Sequence, residues 1–328
     1  MKSGFSARQR GRSLAASRND AIRLFAAALV MGVVTLLSDT ASAQQPSEHT
    51  WTSAIRESLF GDVYANPERW RPLSIGTFFT EGWNTPWVSP PNGSGGAPRQ
   101  GWLNAFDGVF YRLGVTTFGY ANNFNDNGNQ YTGLAQLYAP FNARSEIRLD
   151  VPFVASNRTN GNSYHTGFGD LQIVPRFLLS ETQDVTQSFN LTIRTPTGQA
   201  YNGNDITSVT PDYEFWANWW RGLVVRGGAG MTIPNHTNGA RTAFIANLAP
   251  GYYFTPHDLT PIGDLVAYVS ANFTQLTDSG PKTTTLTLTP GFRTHLGRNW
   301  YLLGGVVVPV TNPKPFDYQV QTALMIVF

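Results

Sequence analysis

The residues best placed to do chemistry in this chain are charged side chains set at every second position. Arg144, Glu146, Arg148 and Asp150 alternate with Ser145, Ile147, Leu149 and Val151. Charge at this spacing can bind polar solutes or pair with its neighbours, but it cannot face a dry core or lipid without large cost. The arrangement recurs with single arginines. Arg176 opposes Ile173, Phe177 and Leu179; Arg194 opposes Leu191 and Ile193; Arg226 opposes Leu223 and Val225. Asp212 and Glu214 oppose Tyr213 and Phe215, and Arg293 and His295 oppose Phe292 and Leu296. If all of these point one way, they line a common interior.

Catalysis has less support. A hydrolase needs a nucleophile and a base within hydrogen-bond reach. Of His49, His165, His236, His257 and His295, only His295 falls within an expected strand, and it shares the face of Arg293. There is no Gly-x-Ser-x-Gly, no His-Glu-x-x-His and no phosphate loop. A membrane-embedded lipid hydrolase is therefore the weakest alternative. No cofactor or metal is implied, and no nucleic-acid partner.

Period-2 alternation places these residues on strands. Twelve are expected, at about 105–121, 131–141, 144–155, 169–180, 186–195, 206–219, 223–234, 241–254, 263–276, 283–296, 299–311 and 316–328. Many are longer than the usual strand of globular proteins and suit a tilted bilayer crossing. Tight connections at 142–143, 220–222 and 297–298 contrast with longer Asn- and Gly-rich loops at 122–130, 156–168 and 196–205. The expected fold is all-β, an antiparallel transmembrane β-barrel of about 12 strands with both termini periplasmic. A soluble β-sandwich is the competing reading. Trp216, Trp219, Trp220, Tyr252, Tyr253, Phe254, Trp300 and Tyr301 lie near the short turns, where an aromatic girdle would sit. Pro140, Pro175, Pro211, Pro250 and Pro290 fall inside strands. Proline donates no ladder hydrogen bond, so a barrel requires each to sit at a bulge or a weakly paired rim.

Residues 1–43 read as a secretory signal peptide. A basic leader precedes an apolar run at 24–37 and then Ala41-Ser42-Ala43. They hold six of the 23 Lys and Arg and two of the 21 Asp and Glu, leaving 17 against 19, a net charge of −2. The basic balance of the whole chain thus belongs to its leader and gives no support to nucleic-acid binding. There is no Cys. Residues 44–104 are irregular and end in a Gly- and Pro-rich stretch; a periplasmic extension, a lumen plug and an extra hairpin all fit them. Residues 105–328 form the barrel. In its last strand Tyr318, Val320, Leu324, Ile326 and Phe328 share one face. An apolar final strand ending in Phe resembles the signal by which the bacterial barrel-assembly machinery recognises its substrates.

Gly167-Phe168-Gly169-Asp170-Leu171 and Thr195-Pro196-Thr197-Gly198 resemble motifs of the bacterial outer-membrane family named for the meta-pathway of phenol degradation. The resemblance covers roughly 105–328. It implies a channel in the bacterial outer membrane, in contact with lipid, that passes small molecules such as aromatic or other hydrophobic compounds. The residues alone leave two readings: passive uptake through a lumen lined by the arginines above, and a closed barrel held by ion pairs across that lumen.

Overall fold

The computed structural model describes residues 50–328, apart from 127, 159–163, 200–201, 204, 221, 236–239 and 279. The expected signal peptide, His49 and His236 lie outside the described residues.

A helix, α1 (Trp51–Phe60), is capped by the Thr50 hydroxyl, which accepts from the Ser53 N–H at 3.3 Å. Thirteen strands follow: β1 (Leu113–Asn122), β2 (Gln130–Asn142), β3 (Ser145–Arg158), β4 (Tyr164–Gly167), β5 (Gln172–Glu181), β6 (Val185–Arg194) and β7 (Thr207–Trp220). Then come β8 (Leu223–Asn235), β9 (Ala243–Tyr253), β10 (Gly263–Leu276), β11 (Thr284–Gly297), β12 (Trp300–Pro309) and β13 (Tyr318–Val327). Every pairing is antiparallel. β3 pairs with β5 along its first half and with β4 along its second, so β4 and β5 share one position in the wall. β1 pairs with β13 from Leu113↔Val327 to Asn122↔Tyr318, closing a 12-stranded barrel.

The two faces of the wall are inverted relative to a soluble protein, which rules out the sandwich. Phe118, Leu137, Phe189, Leu248, Val269, Phe292, Val306 and Leu324 are exposed on the outside. Ser188, Asn190, Asp212, Glu214, Arg226, Asn247, Ser270 and Arg293 are buried on the inside. An apolar outer band around a polar interior is the arrangement that lipid selects. Tyr318, Val320, Leu324 and Phe328 lie exposed on this outer face, with Ile326 partly covered. Of the expected girdle, Trp219, Trp220, Tyr252, Phe254 and Trp300 are exposed, whereas Trp216 and Tyr301 are buried inside.

Eleven of the expected strands match the structure within a few residues. The first does not, because residues 105–112 are irregular and β1 begins at Leu113. The prolines also find their explanation. Ile173 faces Ile193 and Arg176 faces Asn190 in one register, with no pairing at Val174 and Pro175. The same two-residue gap falls at Pro211 between β7 and β8, at Pro250 between β9 and β10, and at Pro290 between β11 and β12. Pro140 lies beyond the end of β1 and beside a register shift against β3. Each proline stands where one neighbouring ladder asks for no N–H.

The two motifs that carry the family resemblance meet in space. The Gly198 N–H donates to Asp170 Oδ1 at 3.0 Å and the Leu171 N–H to Thr197 Oγ1 at 2.9 Å. A Cβ on either Gly198 or Gly203 would stand 2.7 Å from that carboxylate oxygen.

Candidate functional site

The chain before β1 enters the barrel from the short-turn end and fills it there. Residues 99–111 have no strand to pair with, so their backbone groups need partners from elsewhere. The inward side chains of the wall supply them. Arg226 on β8 donates to the carbonyls of Arg99 and Gln100, the latter at 2.7 Å. Arg293 on β11 donates to the Gln100 carbonyl at 2.6 Å, and Arg176 on β5 to those of Asp107 and Val109, the latter at 3.0 Å. Carboxylates take the N–H groups. Glu214 accepts from Asp107 at 2.9 Å and Glu146 from Tyr111 at 2.5 Å. Neutral groups complete the set, with Tyr268 accepting from Leu103 at 2.9 Å and Asn247 from Phe106 at 3.0 Å. The Ser270 hydroxyl donates to the Asn104 carbonyl at 2.6 Å.

Side-chain pairs lock this plug. Asp107 forms an ion pair with fully buried Arg226 and accepts from the Tyr111 hydroxyl at 2.7 Å. Arg176 pairs with Glu146 and lies 3.7 Å from Glu214. Trp102 stacks on Tyr268 with centroids 4.8 Å apart and takes the Arg226 guanidinium on its ring at 4.9 Å. Arg99 pairs with Glu181 at 3.3 Å, donates to Thr186 Oγ1 at 2.9 Å and covers the inward ring of Trp216 at 4.7 Å. Gly108 is obligatory, since a Cβ there would sit 2.6 Å from the Phe215 backbone.

Outside the wall strands, Asp184 in the β5–β6 turn anchors the approach to the plug. It accepts from the Ser94 N–H at 2.7 Å, the Ser94 hydroxyl at 2.6 Å and Asn218 Nδ2 at 2.8 Å. Desolvation alone would raise this carboxyl's pKa. The hydrogen bonds to the charged form outweigh it and hold the group below its ordinary value.

On the long-loop side of the plug lies a cavity of about 680 Å³. Its floor is Leu103, Ala105 and Phe106. One wall, from β3 to β7, is polar and carries Arg148, Arg194, Asp212 and Glu214. Across the barrel, β1, β12 and β13 present Leu113, Val115, Leu303, Val307 and Met325. Arg148 is paired with Asp150 at 3.0 Å, and Asp212 accepts from Asn190 at 2.9 Å. Arg194 has no ion-pair or hydrogen-bond partner among the described residues; it stands in register between Gln172 and Ser208, which also line the cavity.

The expected lumen residues thus divide into three groups. Arg148, Arg194, Asp212 and Glu214 border the cavity. Glu146, Arg176, Arg226 and Arg293 are spent on the plug, and Asp150 on Arg148 and on Gln136 at 2.9 Å. Arg144 and His295 lie at the short-turn end. Arg144 donates to the carbonyls of Ser74, Glu81, Leu178 and Leu179 at 2.9 to 3.0 Å. His295 stacks on His257 with centroids 4.1 Å apart, and His257 Nδ1 meets Asp264 at 2.7 Å. Among the described residues no Ser or Thr hydroxyl hydrogen-bonds to His257. His165, expected in a loop, lies in β4.

Sequence reasoning missed Arg99, Trp102, Asp107, Tyr111, Asn247, Ser270 and Tyr268. One signal was present: six inward arginines faced four inward carboxylates, and the surplus needed acceptors such as free carbonyls.

No family model and no curated protein sequence matches the chain. Solved structures match it in fold. An outer membrane channel from Pseudomonas putida F1 superposes with a TM-score of 0.52 at 12% identity, over 70% of this chain and 100% of that one. The KdgM porin gives 0.46 at 10% identity over 66% and 99%, and a bacterial polysaccharide outer membrane secretin 0.36 at 10% over 67% and 99%. The chain therefore carries the fold of a 12-stranded outer-membrane β-barrel.

Proposed function

We propose that this chain is an outer-membrane channel for small solutes that join an apolar body to a polar or charged group, aromatic compounds among them. The observation that carries the reading is the two-sided cavity, with Arg194 and its polar wall facing Leu303, Val307 and Met325 across the lumen. Such a solute keeps its polar end solvated while its body lies on the apolar wall. Residues 99–112 close the short-turn side in the conformation described. In this reading the long loops face outward, the short turns face the periplasm, and the Tyr318–Phe328 stripe serves the assembly machinery.

Planar-bilayer recording of the refolded chain tests this, together with uptake into liposomes of an aromatic acid and of a sugar of equal size. Conductance with preference for the aromatic acid supports it. Silence in the full chain and in plug-loosened variants alike refutes it and favours the second reading, a closed structural barrel. That alternative rests on Arg176, Arg226 and Arg293 each donating to the plug backbone.

A further inference from the structure

We infer that residues 74–83 form an apolar foot that inserts into the lipid leaflet on the short-turn side, beside the barrel wall. The inference rests on the membrane-barrel reading and goes beyond it, because no strand is involved.

Three observations lead there. First, the segment carries no charge between Arg71 and Glu81, yet it presents Ile75 and Phe79 to the outside, Phe79 with 88% of its surface exposed. Two large apolar side chains held out on a short loop are costly in water and favourable in hydrocarbon.

Second, the loop is held in that shape. Leu73 and Glu181 exchange backbone hydrogen bonds of 2.8 Å, adding the chain to the free edge of β5 below the start of β3. Arg144 then gathers the loop, donating to the carbonyls of Ser74 and Glu81 and to Thr77 Oγ1 at 3.2 Å, with its guanidinium 5.5 Å from the Phe78 ring. Gly82 has φ +87° and lies against the Arg144 side chain, where a Cβ would stand 2.8 Å from Cγ. This accounts for the one inward-phased arginine that neither meets the plug nor borders the cavity.

Third, the foot is continuous with the lipid-facing belt. Phe79 meets Phe78 with centroids 5.0 Å apart, Phe78 meets Trp83 at 5.5 Å, and Trp83 meets Phe177 at 6.4 Å. Phe177 lies on the outer face of β5 and pairs in register with Phe189, an exposed residue of the outer band. The Trp83 indole donates to the Phe78 carbonyl at 2.6 Å, so the chain of rings buries its polar atom within itself. An aromatic row running from the belt onto a rigid loop extends the same interface, and its occupant is the bilayer.

The chain has no Cys, which permits single-site labelling. Spin labels at Ile75→Cys and Phe79→Cys are compared with Phe189→Cys on the outer band and Glu68→Cys on the preceding turn. All are reconstituted as the full mature chain in phosphatidylcholine–phosphatidylglycerol vesicles. Positions 75 and 79 should match 189 in preferring oxygen over a water-soluble nickel collider, while 68 shows the reverse. If 189 reads as lipid and 75 and 79 read as water, the foot is refuted and the barrel stands. If 189 also reads as water, both fail. Dipolar broadening at 79 in singly labelled samples would place a second copy on the patch and overturn the lipid assignment.

Discussion

Replacing Asp107 with Ala should open the barrel without unfolding it. Arg226 is fully buried, and Asp107 is its only carboxylate within salt-bridge distance among the described residues. Removing one member of such a pair leaves an uncompensated buried charge and typically costs about 3–5 kcal/mol. Arg226 would keep the carbonyls of Arg99 and Gln100 and the Tyr111 hydroxyl at 3.4 Å, so the lower end, about 3 kcal/mol, is the better figure. The loss falls on the plugged state, because the strand ladders of the wall do not involve Asp107. A differential of about 3 kcal/mol corresponds to a shift on the order of 100-fold between plugged and unplugged populations. In single-channel recordings Asp107→Ala should therefore raise open probability by up to that factor while unit conductance stays constant. Asp107→Asn keeps an acceptor for Arg226 and should lie between the two. If Asp107→Ala folds, as judged by heat-modifiable migration, and its open probability equals that of the unaltered chain, then the plug is not held as argued.

Four further outcomes follow from the same geometry. Gly108→Ala drives a methyl to within 2.6 Å of the Phe215 backbone; it should raise open probability as Asp107→Ala does, and an unaltered value would show that the plug relaxes around it. Arg194→Gln removes a cavity charge whose interaction with a solute anion at about 4 Å in water is about 1 kcal/mol; reversal potentials should show anion preference falling roughly fivefold. Asp184 has a lowered pKa, so its hydrogen bonds stabilise the fold at neutral pH and are lost as pH falls through the folded value. Asp184→Asn should thus lower Tm at pH 7 and do so less at pH 3; an equal loss at both would contradict the assignment. Deleting Phe328 should slow insertion by the assembly machinery measurably more than Gln319→Ala, a cavity-side change that leaves the outer stripe intact, and equal rates would remove Phe328 from that role.

The wall was legible because lipid imposes one rule on every strand. Arg148, Arg194 and Asp212 could be assigned an inward direction by counting in twos from Ile147, Ile193 and Tyr213. The plug obeys no such period. Residues 105–112 include Phe106, Val109, Phe110 and Tyr111, which read as strand formers, yet their N–H groups bond to Glu214, Glu146 and Asn247, over 30 to 140 residues away. Local propensity carries no trace of such partners. Trp216 shows a conflict between two readings. Its place near a turn suggested the lipid interface, whereas counting in twos from Asp212 and Glu214 sets it inward, where Arg99, 117 positions away, covers its ring. The proline gaps were half legible, since the spacing marked the positions while their cost depended on which ladder was missing.

Those gaps are distributed in a way that concerns how the wall stays shut. They lie between β5 and β6, β7 and β8, β9 and β10, and β11 and β12. The seams β6–β7 and β8–β9 run without a break, as does β1–β13 with ten consecutive pairs. Three of the four gapped seams join strands connected by the tightest turns, where holding two strand ends together costs little chain entropy. Of the unbroken seams, β6–β7 joins strands linked by the long segment 195–206, and β1 and β13 have no direct connection at all. Hydrogen bonds are thus omitted where covalent connection already keeps neighbours at high effective concentration, and retained where the ladder alone must close the circle. New termini cut into the turn between β7 and β8 would transfer the closing duty to a seam that was never built for it.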